Sequence, residues 1–65
     1  MTQLLDDLRS VPVAVIERLL SENIAQHASL RARSVPAGAP IFEENCALFL
    51  VYEKALSERG VRFAA

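Results

Sequence analysis

Apolar residues recur at helical spacing along the first half of the chain. The segment after Pro12 runs to Arg33 without a glycine or a further proline, and its apolar residues return every three or four positions. This spacing places them on one face of an α-helix. They are Val13, Ile16, Leu19, Leu20, Ile24 and Leu30. We therefore predict an amphipathic helix over residues 12–33, preceded by a short helix over residues 2–9 with Thr2 as its cap.

Two prolines and a glycine interrupt the pattern after this helix. The sequence SVPAGAP predicts a loop over residues 34–39, because proline and glycine disfavour a helix interior. A third helix is predicted over residues 40–59. Its end is marked by Gly60, which suits the left-handed position after a helix, and by Val61, which suits the apolar contact that follows it.

The segment ALFLVY inside the third helix also has the β-branched and aromatic content of a buried strand. No second strand of comparable quality is available to pair with it, which favours the helix. Because the loop between the second and third helices is short, we expect those helices to lie antiparallel. The predicted fold class is all-α: a short N-terminal helix followed by an antiparallel helical hairpin, with a tail over residues 61–65 whose Phe63 packs back onto the hairpin.

The third helix is apolar over a wider arc than contact with one neighbouring helix requires. Projected at 100° per residue, its apolar side chains fill roughly 220° of the circumference. We predict that the surplus is a protein interface and that a homodimer completes the fold, since a twofold contact needs one self-complementary patch. The predicted interface residues are Phe42, Phe49, Leu50, Tyr52, Glu53 and Leu56.

Three polar residues project into these apolar faces. Asn23 and His27 lie one turn apart on the second helix, where a buried polar group needs a hydrogen bond. They are expected either to bond to each other or to loop backbone, or to fix the register and oligomeric state of a helix–helix interface. Glu53 either reaches solvent at the rim of the interface or forms an ion pair across it, for example with Arg31.

Composition and charge place the chain among small soluble domains. Its 65 residues are 52% hydrophobic and 23% charged, which indicates a single folded domain over residues 1–65. One cysteine excludes an internal disulfide, so oligomerisation is the expected source of further stability. No apolar stretch is long enough to span a bilayer and the start lacks a cationic leader, so we expect a cytoplasmic protein without membrane association.

A net charge of −1, from seven basic and eight acidic residues, does not favour nucleic-acid binding. Arg31 and Arg33 lie close together beside the loop, however, and they supply the alternative function of a DNA-binding transcriptional regulator. That alternative predicts a salt-dependent interaction with duplex DNA.

Candidate chemistry rests on His27 and Cys46, with Glu43 and Glu44 as further ligands of a conceivable metal site. No paired ligand spacing supports such a site, and a cysteine in an apolar run is more often a small core residue. We therefore expect neither an enzyme nor a cofactor or metal. The predicted function is a small non-catalytic protein–protein interaction module, such as a regulator, inhibitor or accessory subunit, which binds a second protein through its apolar helical surface.

Overall fold

Three helices make up the fold in a computed structural model, which describes the backbone of residues 2–62 and the side chains of residues 3–62. Helix α1 spans Thr2–Leu8, α2 spans Val13–Ala32 and α3 spans Pro40–Ser57. Residues 2–62 contain no strand, and the segment ALFLVY lies inside α3, so the all-α prediction is confirmed. The cap predicted at the Thr2 side chain and the predicted packing of Phe63 lie outside the described residues.

Helices α2 and α3 pack against each other in antiparallel directions. Near the loop, the ring of His27 on α2 meets the ring of Phe42 on α3 edge to face, with 5.0 Å between the ring centroids. One turn closer to the start of α2, Asn23 is hydrogen-bonded to Asn45, which lies one turn further along α3. Residues nearer the start of α2 therefore contact residues further along α3, as in the predicted hairpin.

Helix α3 ends at the predicted glycine. Gly60 has a φ of 75°, in the left-handed region, and its N–H donates to the carbonyl of Ser57 at 3.0 Å. The N–H of Val61 donates to the carbonyl of Leu56, also at 3.0 Å. These two bonds form a Schellman motif, and Val61 packs against the core that contains Leu56.

Helix α2 ends in the same motif without a glycine. Ser34 has a φ of 58°, and its N–H donates to the carbonyl of Arg31 at 3.0 Å. The N–H of Val35 donates to the carbonyl of Leu30 at 3.0 Å. Serine in a left-handed conformation is less stable than glycine there, because its Cβ crowds the backbone.

The core lies where α1, α2 and the second half of α3 meet. Its buried cluster comprises Leu8, Ile16, Leu20, Val51, Ala55 and Leu56. Leu56 is only 1% exposed, so the prediction that it belongs to an exposed interface is wrong for the single chain. The physical reason is that α1 packs against α3, with Leu4 and Leu5 against the core, and so helps to enclose the part of the apolar arc that had been expected to be surplus.

The side chain of Arg59, just after α3, is hydrogen-bonded to the end of α1. Its Nη2 donates to the carbonyl oxygen of Leu8 at 2.9 Å and to that of Arg9. These carbonyls are at the C-terminal end of α1, where backbone oxygens have no partner within the helix. Arg9 in turn contacts Glu58 at 3.4 Å, which adds an exposed ion pair to the same junction.

Candidate functional site

An open groove of about 450 Å³ lies between α2 and α3. Its lining residues are Asn23, Ile24, His27, Asn45, Cys46, Phe49 and Leu50. Ile24, Phe49 and Leu50 supply apolar side chains, and the buried polar side chains of Asn23 and Asn45 lie at the helix–helix contact. We refer to this feature as the interhelical groove.

The two asparagines bond reciprocally across the helix contact. Asn23 Nδ2 donates to the backbone oxygen of Asn45 at 3.1 Å, and Asn45 Nδ2 donates to the backbone oxygen of Asn23 at 3.2 Å. Asn23 is 5% exposed and Asn45 is 2% exposed. A buried amide that bonds to backbone on the neighbouring helix fixes the position of the two helices along each other, because a shift would leave its polar atoms without partners.

Asn45 also connects two further residues of α2. Its Nδ2 contacts Gln26 Oε1 at 3.2 Å, and its Oδ1 lies 3.3 Å from His27 Nδ1. Since Nδ2 faces two acceptors, Oδ1 is the acceptor on the other side, and His27 must carry a proton on Nδ1 to donate to it. The polar network thus has Asn45 at its centre.

The sequence patterns did not single out Asn45. It lies three residues after Phe42 and four before Phe49, inside the apolar stripe of α3, and this position was the available signal. The expectation that Asn23 and His27 bond to each other or to loop backbone is wrong, because both side chains point across to α3 and bond to Asn45 instead. Their predicted role in oligomeric state stays a prediction.

One buried atom of this network has no partner. Asn23 Oδ1 is buried and accepts no hydrogen bond from any described residue. The Asn23 amide is held by its Nδ2 bond to Asn45, so its oxygen cannot exchange places with the nitrogen without breaking that bond. An unsatisfied acceptor makes the Asn23–Asn45 contact less stable than its bond count indicates.

The rim of the interhelical groove is exposed and apolar. Leu50 is 62% exposed, Cys46 is exposed and Phe49 is half-buried. Of the other predicted interface residues, Phe42 is half-buried against His27, and Tyr52 is half-buried in a separate depression. The structure therefore gathers Phe49 and Leu50 at one surface and separates Tyr52 from it.

Glu53 is exposed and lies beside Leu50 in a neighbouring depression. Within residues 3–62 it makes no ion pair, and Arg31 is likewise exposed. An ion pair of Glu53 across an interface stays a prediction. Arg33 is also exposed, at the end of α2, and the DNA-binding alternative for Arg31 and Arg33 is untested by this arrangement.

Cys46 is exposed rather than the small core residue that its apolar neighbours indicated. It projects to the rim of the interhelical groove and makes no hydrogen bond with His27, which lines the same groove. Across the described side chains, no three His, Cys, Asp or Glu residues are grouped closely enough to hold a metal ion. None of the helices, over the residues described, is both long and apolar enough to cross a membrane.

Comparison with protein-family models, with curated proteins and with solved structures finds no match to this chain. One fold supports many functions, so the groove, its rim and the charges around them are the features that bear on function.

Proposed function

We propose that this protein is a small non-catalytic protein–protein interaction module that binds another protein chain through the interhelical groove. The observation that carries the proposal is the position of Leu50, a large apolar side chain 62% exposed at the rim of an apolar groove. A contiguous apolar surface on a soluble domain is typical of an interaction site. A regulator, an inhibitor or an accessory subunit would use such a surface.

The groove suits an apolar helical face. Helix-in-groove recognition places side chains from successive turns of one helix between two helices of the other protein. Ile24 and Phe49 provide the apolar walls, and Leu50 is covered when the partner binds. The hydrogen bonds between Asn23 and Asn45 are already made in the free chain, so the groove is formed before binding and less ordering is required.

The chain has a natural attachment site for a probe that tests this proposal. Cys46 is its single cysteine, is exposed and lines the groove. A photo-crosslinker attached to Cys46 should therefore form covalent adducts with the bound protein in an extract of the native host. Leu50→Glu should abolish those adducts, because a carboxylate at the rim is poorly accommodated by an apolar partner surface.

A matched control moves the probe elsewhere on the same fold. Cys46→Ser combined with Val15→Cys places the crosslinker on α2, where Val15 is 45% exposed and does not line the groove. We expect this variant to lose the adducts. Identical adducts from both positions, or none from Cys46, would overturn the proposal.

A further inference from the structure

Helix α3 carries a stripe of side chains that the described part of the chain leaves largely uncovered. Projected at 100° per residue, its six members fall within an arc of about 100° on the side away from Asn45 and Tyr52. All are exposed except Ala47, which is half-buried. They are Glu43, Cys46, Ala47, Leu50, Lys54 and Ser57, and we call them the α3 stripe.

The charges of the α3 stripe lie at its two ends. Glu43 is in the first turn of α3 and Lys54 is in the last, eleven residues or about 16 Å apart. Neither forms an ion pair with another described residue. Between them are Ala47 and Leu50, a small and a large apolar side chain.

We infer that the partner at this surface is a second copy of the chain, packed antiparallel through the α3 stripe about a twofold axis. In that arrangement residues whose numbers add up to 97 lie opposite each other. Glu43 then faces Lys54 of the partner subunit, and the symmetry repeats this pair at the other end. Leu50 faces the partner subunit's Ala47, so a large side chain packs on a small one twice.

The same charges disfavour the other simple arrangement. Parallel copies would place Glu43 opposite Glu43 and Lys54 opposite Lys54, which is repulsive at both ends. Glu44 and Glu53 also add up to 97, but they project to opposite flanks of the α3 stripe, about 100° to one side of Glu43 and about 80° to the other. The twofold axis places the same flank of both copies on the same side of the interface. Glu44 and Glu53 of the partner subunit therefore lie on opposite sides and do not meet.

This inference rests on the proposed interaction function and names its partner. The α3 stripe shares Cys46 and Leu50 with the rim of the interhelical groove, so one contact covers both. Sedimentation equilibrium of the purified chain should show a reversible monomer–dimer equilibrium at micromolar to hundred-micromolar concentrations. Leu50→Glu should abolish the dimer while circular dichroism shows the helices intact.

A charge-reversal experiment tests the register. Glu43→Lys and Lys54→Glu should each weaken the dimer about 10-fold, because two attractive pairs become repulsive. An equimolar mixture of the two variants should restore wild-type affinity, since both pairs are again attractive in the mixed dimer. Effects of either substitution on its own helix are unchanged by mixing, so restoration can come only from contacts between subunits. In 1 M salt the differences should largely disappear.

Glu44→Lys is the matched control, because it makes the same charge change in the same turn but on the flank. It should change the dimer dissociation constant less than about 3-fold. The inference is overturned if the mixture dissociates as readily as each variant alone, or if the wild-type chain is a monomer throughout the concentration range.

Crosslinking from Cys46 separates this failure from failure of the proposed function. A monomeric chain that still forms Leu50-dependent adducts with a different protein contradicts the twofold dimer and supports the interaction module. A monomeric chain without such adducts contradicts both.

Discussion

At the scale of single residues, the two helix ends show how a backbone requirement can be met by different side chains. Gly60 and Ser34 have nearly the same left-handed φ, 75° and 58°. The end of α3 at Gly60 was predicted from the sequence because glycine is the usual residue at this position. Serine is not, so the motif at Ser34 was not predicted, and the loop after α2 was predicted from its prolines instead.

Substitution at these two positions should have opposite effects on stability. Ser34→Gly should raise the free energy of unfolding by about 0.5–1 kcal/mol, because glycine adopts this conformation without strain. Gly60→Ala should lower it by about 1 kcal/mol. A Cβ at Gly60 meets nothing within 4 Å, so the loss is conformational rather than steric. Urea denaturation followed by circular dichroism measures both, and a stabilising Gly60→Ala would contradict the assignment.

Asn45 should be the polar residue on which the hairpin most depends. Asn45→Ala removes its bonds to Asn23, Gln26 and His27, and we expect a loss of about 2–3 kcal/mol in the free energy of unfolding. Gln26→Ala, which removes an exposed member of the same network, should cost less than about 1 kcal/mol. Equal losses in the two variants would show that burial of Asn45 does not matter.

At the scale of the helices, periodicity together with the proline and glycine breaks predicted three of them with bounds within two residues of those observed. These local patterns did not predict which neighbour covers each side of α3. A helical projection shows that Leu56 points toward an apolar region but not whether α1, α2 or another chain covers it. Asn45 was overlooked for a related reason, since its partners on α2 are about twenty residues away in sequence.

The attachment of α1 should depend on one arginine. Arg59→Ala removes the bonds to the carbonyls of Leu8 and Arg9, and we expect a loss of about 1–2 kcal/mol together with faster amide hydrogen exchange within α1. Arg62→Ala, which changes an exposed arginine close by, should leave exchange in α1 unchanged. If amide hydrogen exchange becomes faster in all three helices to the same extent, Arg59 does not stabilise α1 locally.

At the scale of the whole molecule, the chain is thin. Its extents are 35, 24 and 14 Å, and its radius of gyration of 12.3 Å exceeds the value of about 11 Å expected for a compact domain of this length. Helices α1 and α2 cover α3 on part of its circumference only. Leu56 points toward them and is buried, whereas Leu50, less than two turns away, points outward and is exposed.

Two leucines of α3 should therefore respond differently to the same substitution. Leu50→Glu should change the free energy of unfolding by less than about 0.5 kcal/mol, because the side chain is already exposed in the single chain. Leu56→Glu should unfold the chain, since it places a charge in the core. Thermal denaturation at low protein concentration distinguishes them, and unfolding by Leu50→Glu would show that its exposure is wrongly assigned.

The fastening of α1 by Arg59 also has a consequence for the order of folding. Helix α1 packs mainly against α3, and the residues that hold its end, Leu8 and Arg59, are 51 positions apart in sequence. During synthesis, α1 cannot dock until α3 and Arg59 have been made, whereas α2 and α3 can pair across their short loop. Assembly should begin at the hairpin and finish with the docking of α1.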